Sequence, residues 1–422
     1  MVCLTICLCN QLLLLMNVSS QRAISLHYNL VTFSLICTTQ ARAPVPLPSL
    51  LSKTDNKELA LRPVPSINSI SKRMKLNQYR GLLFALLGSI LLLCYLYGHT
   101  HWANQNKNGF KRLYIPHPIS KTKTIDLGFN SFYLAGLDSQ HVYLGNRTAP
   151  TYFLISNRSL QHQDTMFLKI PDNTKKLSFK CSVLDQQVYL SDGNNGKIYR
   201  STLPDSTMYP FTSGNIPFFT SALAISPKSI VLKTYYERLK QSTLSKLSLE
   251  KPFFWVDSTL LEPSVDGFYS CDGSMCLDQT TGRIFYVYRY RNLFLQLDSN
   301  LDLVSRGKTI DTISTPHFKI GSYPTNEGTT TTFQSPSFDV NKNACCSDGL
   351  LYIYSSLRAD NENMEDFNRY AVLDVYRVSD SRYQFSFYVP KQKKQPISSI
   401  GIYHKTLYTI SDQYLSLYQL GF

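Results

Sequence analysis

The sequence predicts an all-β fold: a six-bladed β-propeller-like ring of four-stranded antiparallel sheets, preceded by one N-terminal transmembrane helix. Three observations predict it. Doublets of β-branched, aliphatic or aromatic residues that open strand-like runs recur at Val142-Tyr143, Val188-Tyr189, Ile230-Val231, Ile284-Phe285, Leu351-Tyr352 and Leu407-Tyr408, at spacings of 46, 42, 54, 67 and 56 residues. A four-stranded blade needs about 40–50 residues, and the longer spacings call for loop insertions. Second, 28 Tyr and 23 Phe against 2 Trp favour sheets with many half-buried rings. Third, residues 81–98, GLLFALLGSILLLCYLYG, form an eighteen-residue run without a charge, about the length that crosses a bilayer as a helix.

Taken in order, residues 1–73 do not resemble the rest. They hold Cys3, Cys7, Cys9 and Cys37, two short apolar runs and a Pro/Ser-rich tail. The stretch Met74-Lys75-Leu76-Asn77-Gln78-Tyr79-Arg80 then looks like a bacterial start, with a methionine and a short basic region before an apolar helix. Translation is therefore expected to begin at Met74, with residues 1–73 a gene-model extension or a disordered tail. Residues 74–98 are read as basic region and membrane anchor. Lys72, Arg73, Lys75 and Arg80 precede the apolar run, which by the positive-inside rule keeps the N-terminal side in the cytoplasm and places the chain beyond residue 98 outside. The exit, Tyr97 to Trp102, shows no small-x-small cleavage site, so the anchor is read as uncleaved. Residues 99–120 read as a polar linker, in which His99 and His101 lack further metal ligands nearby.

From residue 121 to 422 the repeat takes over. Its clearest unit is Gly282 to Thr315, where the runs 284–288, 293–297 and 301–304 are separated by short polar turns, most of a four-stranded meander. Strand-like stretches at Thr124–Leu127 and at Leu415–Leu420 lie at the two ends of this region, and a propeller commonly joins its ends within one blade to avoid an exposed edge.

The phrases Phe132-Tyr133-Leu134-Ala135-Gly136, Val142-Tyr143-Leu144-Gly145-Asn146-Arg147-Thr148-Ala149-Pro150, Tyr288-Arg289-Tyr290-Arg291-Asn292, Arg306-Gly307-Lys308-Thr309-Ile310-Asp311-Thr312 and Asp360-Asn361-Glu362 carry a resemblance. As a set they resemble uncharacterised, membrane-anchored β-propeller-like proteins of Bacteroidota, over about residues 74–422. The resemblance implies a propeller held outside the inner membrane by a single span, with its C-terminal domain in the periplasm. It implies no activity.

Beyond the apolar run there are five cysteines, Cys181, Cys271, Cys276, Cys345 and Cys346, which an oxidising compartment would allow to pair. Cys271 and Cys276 flank Asp272-Gly273, a turn signal, and are the candidate disulfide. Cys345 and Cys346 are adjacent, so within a strand they point to opposite faces. No second Cys or His pair falls at zinc-finger spacing, and no metal or cofactor is expected. The sequence holds no G-x-S-x-G, H-E-x-x-H or G-x-x-x-x-G-K-[ST] motif, so no hydrolase or nucleotide chemistry is signalled. Propeller glycosidases gather carboxylates, often with arginines, on the ring axis, and Arg291, Arg306, Asp311, Arg358, Asp360 and Glu362 are the candidate binding or funnel residues. Arginine and aspartate at blade corners also tie turns to neighbouring blades, the structural alternative.

The formal charge is +14; residues 1–73 carry seven basic and two acidic residues of this, which leaves +9 on residues 74–422. Outside the cytoplasm such an excess suits an anionic surface, with Lys391, Lys393 and Lys394 as its densest patch, and no stacking motif points to nucleic acid. The expected role is a non-catalytic binding or scaffold module, tethered through residues 81–98, for an envelope protein or an anionic glycan. The alternative is a cell-envelope enzyme acting on a glycan or thiol substrate.

Overall fold

The structure is a computed structural model that describes residues 67–105, 107–171, 178–212, 214, 216–325 and 328–422. Residues 1–66, on which most of the expected extension falls, lie outside the described residues, as do the side chains of His99 and His101. The chain divides into two compact units at Ser89/Ile90, and the second carries the ring. Helix α1 spans Ile67–Gln105. Within it Tyr79–Gly98 is long and apolar enough to cross a membrane, and none of that window is buried.

The alternating apolar residues form the expected antiparallel meanders. After β1 (Ile119–Asp126), blade 1 comprises β2 (Phe132–Leu137), β3 (His141–Asn146), β4 (Tyr152–Asn157) and β5 (Gln163–Phe167). Blade 2 comprises β6 (Lys180–Leu184), β7 (Gln187–Asp192), β8 (Lys197–Thr202) and β9 (Tyr209–Pro210). Blade 3 is built from β10 (Phe219–Ser226), β11 (Ser229–Tyr236), β12 (Gln241–Ser248) and β13 (Phe254–Asp257). Blade 4 holds β14 (Gly273–Asp278), β15 (Arg283–Tyr288), β16 (Phe294–Leu297) and β17 (Leu303–Gly307). A separate hairpin, β18 (Ile320–Thr325) and β19 (Gly328–Phe333), precedes blade 5, which is β20 (Asn341–Ser347), β21 (Leu350–Ser355), β22 (Tyr370–Arg377) and β23 (Tyr383–Pro390). Blade 6 takes β24 (Ile397–Tyr403), β25 (Thr406–Ser411) and β26 (Tyr414–Leu420), and is completed by β1.

Each of the six doublets falls in the second strand of its blade. The 67-residue spacing is stretched by the β18–β19 hairpin. The 56-residue spacing is stretched by α2 (Met364–Arg369), whose N-cap Asn363 accepts from the Asp366 backbone N–H. Ring closure pairs β1 with β26, from Ile119 against Leu420 to Asp126 against Tyr414, so both ends of the ring lie in one blade.

The core lies between blades. Six apolar clusters coincide with the six blade-to-blade interfaces, because alternate residues of each strand face one neighbour or the other. The packing of the blades also corrects the expected disulfide. Cys276 pairs with Cys346, and Cys271 is a buried free thiol. On β14, Cys276 faces blade 5 among Phe285, Val287 and Leu351, while Cys271 packs on the blade 3 side with Val231 and Leu244. The bond therefore ties the innermost strands of blades 4 and 5. Cys345 faces blade 6 and Cys346 faces blade 4, opposite sides of β20.

A seventh small cluster, Phe110 with Val340, Leu357 and Ala359, lies under the segment that leads into the ring.

Candidate functional site

In every blade the turn from first to second strand, and in blades 1 to 5 also the turn from third to fourth, opens on one face of the ring. The turns from second to third strand and the connections between blades open on the other. Two cavities lie on the first of these faces. The axial well, about 410 Å³, is lined by the ends of the six innermost strands, including Leu137, Val183, Leu223, Leu277 and Ile402. Those strands have an unpaired edge, so backbone groups as well as side chains meet the axis.

At the mouth of the well stand Asp348 and His404. His404 Nδ1 lies 2.9 Å from Asp348 Oδ1 and 3.1 Å from Oδ2, and the His404 backbone N–H donates to Ser347 Oγ at 3.0 Å. Both side chains are about half exposed, His404 at 59 % and Asp348 at 41 %. A carboxylate only accepts, so Nδ1 is the donor in this pair. Asp348-Gly349 forms the tight turn between β20 and β21, with φ of 52° and 75°, the left-handed backbone that an Asp-Gly pair supplies at low cost.

The second cavity is a groove of about 710 Å³ between blades 4 and 5. Its walls include Arg283, Gln296, Ser305, Ser379, Asp380 and Ser381, with Val304 and Val378 as the aliphatic part. Ser305 Oγ and Ser381 Oγ are 3.0 Å apart and join the two blades across it.

The six candidate residues read from the sequence lie elsewhere, apart from Arg306. Arg112, only 4 % exposed, enters the ring from the segment before β1. Its Nη1 is 2.6 Å from Glu362 Oε2, its Nε 2.7 Å from Asp374 Oδ1, and its Nη2 3.1 Å from Asp374 Oδ2. Burial alone would lower the guanidinium's pKa, but Asp374, and behind it Glu362, outweigh that and raise it. Glu362 also accepts from the hydroxyls of Tyr114 and Tyr388, and these two rings stack with centroids 4.6 Å apart. Burial and the bond to Glu362 push the Tyr114 hydroxyl far up.

Asp360 accepts the backbone N–H groups of Asn108 at 2.8 Å and Gly109 at 3.2 Å, and the Arg358 carbonyl accepts from Asn108 Nδ2 at 2.7 Å. The Arg358 guanidinium donates to the Glu362 carbonyl at 2.7 Å. Asp311 is buried, accepts from the Thr309 hydroxyl and the Ile313 backbone N–H, and has its carboxyl pKa raised by burial. Its neighbour Thr312 donates to the Asn108 carbonyl at 2.7 Å. Thus Arg358, Asp360 and Glu362 hold the segment 108–114, and Asp311 lies in the loop beside it.

Arg291 is buried, with its guanidinium 4.0 Å above the Tyr288 ring and Nη2 donating to the Glu262 carbonyl at 2.7 Å. Arg306 pairs with the Glu262 carboxylate at 2.8 Å. Neither cavity is lined by Asp311, Asp360 or Glu362. No group of three or more His, Cys, Asp or Glu able to hold a metal occurs among the described residues.

Sequence reasoning missed Arg112, Asp374, Asp348, His404 and Arg283. Arg112 sits in Lys111-Arg112-Leu113, which reads as a basic linker, and its partners lie 250 and 262 residues away. The Asp-Gly turn at Asp348 was a local signal; nothing local joined it to His404.

No family model matches the chain, and no curated protein matches it. Among solved structures it is similar to virginiamycin B lyase from Staphylococcus aureus, at 11 % identity and a TM-score of 0.42, over 71 % of this chain and 98 % of that one. It is also similar to a member of the DUF4221 family from Bacteroides vulgatus, at 10 % identity and a TM-score of 0.45, over 71 % and 97 %. A third is BamB from Moraxella catarrhalis, at 9 % identity and a TM-score of 0.36, over 72 % and 98 %. At these identities and scores, none assigns a role to a residue of this chain.

Proposed function

We propose that this chain is a membrane-tethered, extracytoplasmic β-propeller of the inner membrane that acts as a non-catalytic binding or scaffold module for an envelope protein or an anionic glycan. The observation that carries the reading is the fastening of the segment 108–114. Arg112 lies buried between Glu362 and Asp374, and Asp360 holds the backbone at Asn108 and Gly109. Three of the six polar candidates are spent on that attachment. An attachment built so firmly into the ring suits a module whose task is to be presented at a fixed place.

Two further observations support the compartment. Basic residues precede the apolar window Tyr79–Gly98. The Cys276–Cys346 pairing suits an oxidising compartment. Crosslinking in native membranes with mass spectrometry of the products tests the reading: a discrete envelope protein or glycan should be captured on the ring, and capture of cytoplasmic proteins there would overturn it.

One observation favours the second reading, an envelope enzyme acting on a glycan or thiol substrate. His404, oriented by Asp348, has the arrangement of a general base at the mouth of a cavity. If that reading holds, the full chain releases new products from envelope glycan or a thiol substrate and His404→Ala does not; equal product from both ends it.

A further inference from the structure

We propose that the groove between blades 4 and 5 binds an acidic saccharide, with its carboxylate or sulfate at Arg283 and its hydroxyls along Gln296, Ser305 and Ser381. This deepens, and rests on, the reading of the ring as a binding module for an anionic glycan. The groove's volume of about 710 Å³ lies within the range of built ligand sites.

Its chemistry narrows the ligand. Arg283 begins β15 on the face that also carries Phe285 and Val287, towards blade 5, and has no ion-pair partner among the described residues. A half-buried guanidinium without a counter-charge offers a planar fork for a carboxylate or sulfate. Next along that face is Gln296, opposite Phe285 on β16 and only 5 % exposed. Its Oε1 accepts from Ser305 Oγ at 3.0 Å, and its amide nitrogen has no partner among the described residues. That nitrogen is reached by solvent rather than sealed in the core, so it is free to donate to a ligand hydroxyl in the groove.

The remaining wall fits a sugar ring better than a lipid or an apolar peptide. Hydroxyls of Ser305, Ser379 and Ser381 lie beside the exposed Val304, whose methyl groups suit the C–H face of a pyranose. The acid that lines the groove, Asp380, is engaged by Arg377 at 3.3 Å, which leaves Arg283 as the free charge. Arg306 contributes to the wall, but its guanidinium is turned to Glu262.

The groove also adjoins the axial well. Thr280 and Asp348 line the well, while their chain neighbours Thr281 and Gly349 line the groove. A chain of sugars seated in the groove would cross only that ridge to reach the well, which extends the site from one acidic unit to an oligomer.

The test uses the full chain in nanodiscs of zwitterionic lipid, with tetragalacturonate as probe and maltotetraose and inorganic sulfate as controls, read by calorimetry. Saturable binding of tetragalacturonate is expected, at least tenfold tighter than either control. Arg283→Gln should weaken it about tenfold and flatten its salt dependence, and Ser379→Trp, which fills the rim without touching the core, should abolish it. Absence of saturable binding, or equal binding by both variants and the wild type, overturns the proposal. Sulfate binding as tightly as the oligomer would mark a free-anion site and overturn it too. If native-membrane crosslinking captures the same envelope partner with wild type and Arg283→Gln, the binding-module reading stands and the groove is not its site.

Discussion

Arg112 grips Asp374 with two parallel hydrogen bonds, Nε to Oδ1 at 2.7 Å and Nη2 to Oδ2 at 3.1 Å, while its third nitrogen reaches Glu362 at 2.6 Å. A guanidinium is the side chain that can satisfy two buried carboxylates at once. Its removal leaves both without a counter-charge. Arg112→Ala is expected to lower unfolding stability by about 3–5 kcal/mol, the cost of breaking a buried ion pair from one side. Arg112→Lys should recover part of that, because a point charge cannot reproduce the fork. Denaturant midpoints measure both, and proteolysis should cut Arg112→Ala near residues 107–118 first. A change below about 1 kcal/mol would show that the segment is only laid on the ring.

The Cys276–Cys346 bond closes a loop of 70 residues that contains the β18–β19 hairpin. Chain-entropy arguments give such a closure about 4 kcal/mol. Non-reducing peptide mapping should recover a peptide pair joining Cys276 to Cys346, with Cys271 alkylated as a free thiol after unfolding. Recovery of a Cys271–Cys276 peptide would contradict the assignment of these side chains to opposite faces of blade 4.

Much of the ring is written in local pattern. Val142-Tyr143 and its five counterparts each mark a second strand, because the centre of that strand is buried on both sides. Blade 4 was legible strand by strand from Ile284 to Gly307 for the same reason. The polar contacts were not legible. Glu362 and Asp360 looked like funnel residues because a carboxylate's sequence neighbours do not reveal whether it faces solvent, a ligand or an arginine far away in the chain. The disulfide was misjudged for a related reason: nearness in sequence suggested Cys271 with Cys276, whereas Cys271, in the turn before β14, packs towards blade 3 and Cys276 towards blade 5.

The half-buried network on the opposite face offers a pH test, for there Asp272 accepts from Lys233 Nζ at 2.5 Å and Arg289 Nε at 2.8 Å. Burial by itself would raise the Asp272 carboxyl, but Lys233 and Arg289 outweigh it and hold it below the ordinary carboxylate range. The folded value is depressed, so the stabilisation is full above the unfolded value of about 3.9 and is lost as pH falls through the folded one. Asp272→Asn should cost about 1–3 kcal/mol at pH 7, and the gap to wild type should close as the pH is lowered below 4. A gap that stays constant down to pH 3 would remove the ion pairs as its cause.

The lysines of the turn after β23 have separate tasks. Lys391 Nζ donates to the carbonyls of Phe367 and Asn368, each at 3.1 Å, and so caps the C-terminal end of α2. The Lys393 ammonium lies 4.6 Å over the Tyr414 ring. Lys391→Met is expected to cost up to about 1 kcal/mol, whereas Lys394→Gln should stay within about 0.5 kcal/mol of wild type. The same denaturation series decides it: equal effects of the two substitutions would deny Lys391 its capping role.

The most direct test of a ring displayed outside the cytoplasm is its topology. Phe422 comes directly after β26, a strand of the closing blade, and Gly421, so a reporter enzyme fused there must share the ring's compartment. If Lys75 and Arg80 hold the preceding side in the cytoplasm, as proposed, an alkaline phosphatase fused after Phe422, active only once exported, should be fully active. An inactive phosphatase, together with an active cytoplasmic reporter at the same junction, would place the ring inside the cell and contradict the proposed function.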